Sequence, residues 1–297
     1  MPSPDKPPST TRLQPPTAAL LIYPATLIIG SLFSVLSPTA QGTRDPPSSH
    51  ASPLAPGIAA DVNLPQHPVN YFARKDNVFN VYFVKVGWLW LTAAFASLAF
   101  TQSPYTTSSS QQPRRIGQAL IRYTLATLVW YLTTQWFFGP AIIDRSFVIT
   151  GGKCEQIIPK AEAGSTKLHT LLTATACKSA GGAWRGGHDV SGHVFMLVLA
   201  TSILAFETIG VVKNALGVEN GEKDDEPVSS DMRKWSVRFV SAVAGLSWWM
   251  LLMTAIWFHT WFEKLTGLMV ALGTVYTIYI LPRRVVPWRD IVGVPGV

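Results

Sequence analysis

The chain has 297 residues, 48% of them apolar and only 14% charged, with eleven tryptophans and a formal net charge of +7 at pH 7. A soluble domain of this length carries about a quarter charged residues, so the composition excludes an ordinary soluble globule and points to a polytopic membrane protein. The positive charge has no basic stripe or aromatic RNA motif beside it, which argues against a nucleic-acid partner; basic residues at the ends of membrane helices account for it.

Residues 1–17 are rich in Pro, Ser and Thr and read as a disordered cytosolic tail. A first apolar run spans residues 18–36, with a cleaved signal peptide as the alternative because Ser37 to Ala40 resembles a cleavage site. Residues 37–77 show no helical period. The second run, 78–100, carries Lys85 at about one-third depth. An intramembrane charge costs at least about 2.5 kcal/mol on insertion scales, so Lys85 marks a cavity or an anionic partner unless it snorkels to the interface. The third run covers 118–138, and Arg122 near its start is expected to snorkel back toward Arg114 and Arg115. Residues 139–190 form the longest polar insertion and hold the only cysteines, Cys154 and Cys177, too few for a zinc ribbon or a disulfide framework. The fourth run is 193–212, where Glu207 lies near the far end and is expected to reach water.

The acidic loop 213–234 lacks the spacing of a calcium loop and reads as solvated chain. The fifth run is 235–258. A sixth, 265–281, is near the lower length limit for spanning and is followed by a cytosolic tail, 282–297. The fold class is therefore all-α, with a six-span membrane domain over 18–281. Six spans put both termini on one side, and basic flanks such as Arg114, Arg115, Lys213, Arg233, Lys234, Arg283 and Arg284 make that side cytosolic. His193, His259 and both cysteines then face the lumen, where an oxidising environment would permit a Cys154–Cys177 bond. No Asn-x-Ser/Thr acceptor is present to report that topology by glycosylation.

The chemistry concentrates in two segments. Gly186 to Phe195 passes from a glycine-rich loop into the fourth run, with Ser191 as a good N-cap and Gly192 and His193 in the first helical turn. Free N–H groups and the positive helix end make that turn an anion site with a histidine in it. The second segment, Trp257 to Lys264, contains His259, and Glu263 four residues later is placed to fix its imidazole tautomer. Antiparallel helices bring the two histidines to one membrane face. Two imidazoles beside an anion cradle suit phosphoryl transfer, one attacking phosphorus and the other protonating the leaving oxygen. His188 and His193 straddle the helix start and so do not share a face as metal ligands at i and i+4 do; no metal and no cofactor is expected. There is no P-loop signature either.

Asp189-Val190-Ser191-Gly192-His193-Val194-Phe195, then Phe258-His259-Thr260-Trp261 with Glu263-Lys264, and the stretch from Asn80 through Lys85 to Trp90 resemble the fat storage-inducing transmembrane family in its fungal form. That family is similar to the lipid phosphate phosphatase superfamily. The resemblance implies a lipid phosphate phosphatase-like helical core, residence in the endoplasmic reticulum membrane, and fatty acyl-CoA diphosphatase activity giving acyl 4′-phosphopantetheine and adenosine 3′,5′-bisphosphate. It also implies support of lipid droplet formation and contact with neutral lipids. In its terms His259 is the nucleophile, Glu263 its partner and His193 the general acid, with Asp189, Ser191 and Gly192 in support.

The chain departs from the superfamily in two places. No Lys with an Arg-Pro seven residues on precedes Ser191, and no Arg lies between Ser247 and Trp257. Lys85, Arg185 and Lys264 are the candidates to replace those phosphate clamps. Two other functions stay open: a phosphatase of phosphatidic or lysophosphatidic acid, and a non-enzymatic binder of diacylglycerol or triacylglycerol. The released product separates the first, and indifference to loss of His193 would mark the second.

Overall fold

The computed structural model describes residues 17–40, 70–135, 141–156, 173–179, 182–218 and 228–295. The tail at residues 1–16, residues 41–69 and 219–227 of the loops expected at 37–77 and 213–234, and the middle of the 139–190 insertion lie outside them. Ten helices are described: α1 (Ile22–Leu36), α2 (Gly87–Thr101), α3 (Ser103–Thr106), α4 (Gln112–Thr134), α5 (Ile142–Ile149), α6 (Ala174–Ser179), α7 (Gly192–Val218), α8 (Ser230–Trp257), α9 (Trp261–Val275) and α10 (Val286–Val292). Among the described residues four helical stretches are long and apolar enough to cross a membrane: Thr17–Leu36, Gly192–Val212, Ser230–Trp257 and Trp261–Arg283. The last is 23 residues, longer than the run expected at 265–281, because α9 begins earlier and continues through a π-turn and a 3-10 turn. Helix α2 is apolar but has 15 residues, while α4 has 23 and is diluted by Gln118, Arg122 and several hydroxyl side chains.

Helix α7 is the centre of the bundle because it is apolar on every side, and such a helix has no face to give to solvent. Val194, Phe195, Val198, Leu199 and Ile203 are completely buried. Helices α2, α4, α8 and α9 pack around it, and α1 lies against α8. The outer helices leave large apolar side chains exposed, such as Ile29 and Leu32 on α1 and Met269 on α9. Such outward apolar faces suit lipid.

Three charged residues sit differently from their expected positions. Arg122 does not reach toward Arg114 and Arg115, and Glu207 does not reach water. They are 3% and 1% exposed and pair with each other: Arg122 Nε lies 2.6 Å from Glu207 Oε1, and Nη2 donates to Oε2 at 2.8 Å. Tyr105 and Tyr279 each donate a hydroxyl to the same carboxylate, at 3.0 and 3.1 Å, and Arg122 Nη1 donates to the Val292 carbonyl at 3.0 Å. This bidentate pair closes a low-dielectric site where a lone charge would be costly, and ties α3, α4, α7, the π-turn after α9 and the end of α10 into one body. Lys85 is the third. The run at 78–100 is not one helix: residues 80–84 wind as a π-turn, and α2 starts only at Gly87. The break leaves Lys85 exposed.

The 139–190 insertion contains a small two-stranded antiparallel sheet, β1 (Lys153–Gln156) with β2 (Gly182–Arg185), and Lys153 pairs with Arg185. Cys154 of β1 is disulfide-bonded to Cys177 of α6. The chain leaves β2 through Gly186, whose φ of 89° lies in the left-handed region that favours glycine. From there it passes through His188 into α7.

Candidate active site

Two helix starts meet on one face of the bundle. Ser191 caps α7: its Oγ accepts the Val194 N–H at 3.4 Å and its carbonyl accepts the Phe195 N–H at 3.0 Å. Ser191 is fully buried. Helix α8 ends at Trp257, and the chain turns into α9 within three residues, Phe258, His259 and Thr260. His259 sits at the apex with φ 60°, where it is the one non-glycine residue at positive φ among the described residues. That conformation costs on the order of 1–3 kcal/mol and tends to persist where the surrounding structure holds it for a purpose.

What holds it is a capping box. Thr260 Oγ1 accepts the Glu263 N–H at 3.4 Å, and Glu263 Oε2 accepts the Thr260 N–H at 2.8 Å. The same Oε2 lies 3.3 Å from His259 Nδ1. Glu263 therefore does two jobs, closing the first turn of α9 and facing one nitrogen of the imidazole. With Nδ1 facing the carboxylate and carrying the proton, Nε2 presents its lone pair.

The two turns are joined by a direct bond. The Ser191 N–H donates to the Glu263 carbonyl at 3.2 Å, and Thr266 Oγ1 donates to that carbonyl at 3.0 Å. Thr266 Oγ1 in turn lies 3.0 Å from His188 Nε2, and the His188 ring packs on Phe262 with centroids 4.7 Å apart. Because the Thr266 hydroxyl already donates, His188 Nε2 is the donor in that pair. Gly267 permits the approach: a Cβ there would lie 2.6 Å from the Ser191 carbonyl oxygen. His193, two residues beyond Ser191 and half-buried, is carried on the turn that this bond fastens to the His259 corner. The Ser191 and Val194 N–H groups are spent, so the turn offers the Gly192 and His193 N–H groups to a ligand. A Cβ on Gly192 would meet only Ile143 Cδ1, at 4.0 Å, so that backbone edge is open.

The other candidates fall in three places. Asp189 is half-buried in the extended approach to α7. Lys264 is 1% exposed and its Nζ donates to the Ala255 carbonyl at 2.6 Å, so its ammonium satisfies a carbonyl in the last turn of α8 and braces the corner carrying His259. Arg185 pairs through its backbone with Lys153, and its side chain lies outside the described residues. Thr260 was missed by the sequence reading. The signal for Thr260 is present as Thr260-x-x-Glu263, the Ser/Thr-x-x-Glu pattern of a capping box. Among the described residues no group of three or more His, Cys, Asp or Glu is placed to hold a metal ion.

A family model described as fat storage-inducing transmembrane protein matches residues 68–279. The chain is 33% identical over 225 residues to the acyl-coenzyme A diphosphatase fit1 of Schizosaccharomyces pombe, covering 75% of this chain and 78% of that one. It is 31% identical over 216 residues to the acyl-coenzyme A diphosphatase FITM2 of Xenopus tropicalis, covering 71% and 72%. The FITM2 of Drosophila melanogaster is 27% identical over 240 residues, covering 71% of this chain and 52% of that longer protein. No solved structure matches the chain.

Proposed function

From the premise that this chain belongs to the fat storage-inducing transmembrane family, we propose that it is an acyl-CoA diphosphatase whose reacting pair is His193 and His259. The observation that carries this reading is the bond from the Ser191 N–H to the Glu263 carbonyl, which fastens the His193 turn to the His259 turn. The proposed reaction splits the diphosphate of fatty acyl-CoA into acyl 4′-phosphopantetheine and adenosine 3′,5′-bisphosphate. Such an activity serves lipid droplet formation and lipid balance in the endoplasmic reticulum.

His259 Nε2 attacks one phosphorus in line while Glu263 holds the Nδ1 proton and offsets the charge that develops on the ring. The bond from that phosphorus to the bridging oxygen breaks, and His193, protonated once the phosphate anions are bound at its turn, gives its proton to the departing phosphate. Water then cleaves the phosphorus–nitrogen bond, with His193, now neutral, taking a proton from it. The open Gly192 and His193 N–H groups at the positive end of α7 face the charge on the phosphoryl oxygens. Helices α2 and α4 complete six spans in this reading, with a lipid phosphate phosphatase-like core, both termini cytosolic and the histidines luminal.

The test is a mass-spectrometric product assay on purified protein given oleoyl-CoA, beside folded His193→Ala and His259→Ala variants. Both products from the native chain, lost in each variant, are expected. Inorganic phosphate from phosphatidic acid, with oleoyl-CoA left intact, would replace this reading with a lipid phosphatase; full activity in either variant would remove that histidine from the pair.

A further inference from the structure

The mechanism above leaves two lysines at the rim of the site unused, Lys75 and the clamp candidate Lys85, and the turn that carries them is held by buried side chains. Asn77 and Asn80 are 3% and 8% exposed. Asn77 Oδ1 accepts the Asn80 N–H at 2.8 Å, and Asn77 Nδ2 donates to the Arg74 carbonyl at 2.5 Å. Asn80 Nδ2 donates to the Lys75 carbonyl at 2.7 Å, and the Asn80 carbonyl accepts the Lys85 N–H at 2.9 Å, closing the π-turn. One buried asparagine thus bonds to the backbone of both lysines. Buried polar side chains used to hold an exposed loop cost burial that a plain connection would not need, and π-turns recur at functional sites.

The height of the turn is set by packing. Phe83 and Val84 are buried in the same core as Val194 and Phe195. Gly87 is pressed on Met196, where a Cβ would lie 2.6 Å from Met196 Cε. Met196 is one helical turn inside His193, and Lys85 lies two residues outside Gly87, so the Lys85 end of the turn stands level with His193. Arg74, the neighbouring cation, is paired with Asp76 at 3.0 Å, whereas neither Lys75 nor Lys85 has a carboxylate partner among the described residues. Both lysines are exposed. Two ammonium groups carried on one braced turn, with no carboxylate partner among the described residues, repel one another until an anion joins them.

We propose that Lys75 and Lys85 form a cradle for a phosphomonoester, and that its ligand is the 3′-phosphate of the CoA moiety. This rests on the acyl-CoA reading above and names the part of the substrate that the histidines do not touch. The diphosphate has the open backbone edge at Gly192 and His193. The 3′-phosphate is the second anionic centre of the same molecule, a monoester carrying close to two charges at neutral pH, at the end away from the acyl chain. Lysine binds phosphate as a mobile point charge rather than a rigid fork, which suits a group that must be held but does not react. The headgroup of phosphatidic acid offers the same chemistry at a membrane interface, so the test separates the two sources.

The measurement is kcat/KM for oleoyl-CoA and for its 3′-dephospho analogue, in zwitterionic detergent with and without phosphatidic acid. It is made for the native chain, a Lys75→Gln/Lys85→Gln variant and a Lys75→Arg/Lys85→Arg variant. The expected result is a native preference for oleoyl-CoA of roughly 10- to 100-fold, expressed mainly in KM, from charge-assisted contacts to one phosphate. The Gln variant is expected to bring that ratio to within about threefold, and the Arg variant to keep it. A native enzyme indifferent to the 3′-phosphate, or a ratio unchanged in the Gln variant, overturns the proposal. So does a response to phosphatidic acid that the Gln variant loses while the ratio stays put, which assigns the lysines to lipid. The ratio is independent of the histidine assignment: activity surviving in His193→Ala defeats that reading and leaves the cradle to be judged on its own numbers.

Discussion

Replacing Glu263 tests the site at its most connected residue. Its carboxylate faces His259 Nδ1 at 3.3 Å and accepts the Thr260 N–H at 2.8 Å, while its backbone carbonyl, which joins the two turns, survives any substitution. Glu263→Gln keeps an oxygen for the Thr260 N–H and removes the charge beside the imidazole. At 3.3 Å two opposite unit charges attract by about 1.3 kcal/mol at the dielectric of water and about 5 kcal/mol at an effective dielectric near 20. The two side chains are 20% and 19% exposed, which puts the pair toward the lower part of that range, about 1.5–3 kcal/mol. Because the charge on His259 develops during attack, this appears as roughly a 10- to 150-fold fall in kcat with little change in KM. Glu263→Ala removes the cap as well and costs about 1 kcal/mol of stability, which Glu263→Gln does not. Single-turnover cleavage of oleoyl-CoA and thermal unfolding in detergent read the two effects separately. A Glu263→Gln enzyme within about twofold of native kcat, or equal losses of stability in both variants, would refute the assignment of Glu263 as the partner of a reacting His259.

Further outcomes follow from the same geometry. The proposed mechanism needs one neutral and one protonated imidazole, so kcat/KM should be bell-shaped in pH, and a profile flat from pH 5 to 8 refutes the pair. Gly267→Ala would place a Cβ 2.6 Å from the Ser191 carbonyl oxygen, so α7 and α9 must separate; a loss of about 1–3 kcal/mol of stability and at least tenfold of activity is expected in unfolding and product assays. Arg122→Met leaves the Glu207 carboxylate buried with only two tyrosine hydroxyls, and about 3–5 kcal/mol of stability should be lost; Arg122→Met/Glu207→Met should recover part of it, and additive losses would refute the coupling. Quenched reactions of His193→Gln with oleoyl-CoA should accumulate a phosphoramidate on His259, found by peptide mass spectrometry at high pH; modification of another residue instead would reassign the nucleophile.

The parts of this protein that were legible in its sequence are those fixed along one helix. Apolar runs long enough to be buried or to face lipid need no partner to be recognised, and the central helix was marked by being apolar on all sides. Ser191 as a cap and His259 with Glu263 at one helical turn are likewise local patterns. Even there the reason differed from the expectation: Glu263 reaches His259 because Thr260 starts a new helix between them, so the pair straddles a corner instead of sharing a face. The charged residues inside the bundle were the illegible part. A single sequence gives each its depth along a helix but not its direction around it, and Arg122 and Glu207 meet across 85 positions of chain. Each was read toward water because a lone buried charge is too costly to assume; two such costs cancel only when the partner is known. Lys85 failed in the opposite sense. Hydropathy carried an unbroken helix through it, and only the asparagines at 77 and 80, which have side chains able to bond the backbone in place of helical partners, signalled that the chain stops there and turns its lysines outward. The anion-binding character proposed for this site therefore resides less in the helix runs than in the interruptions between them.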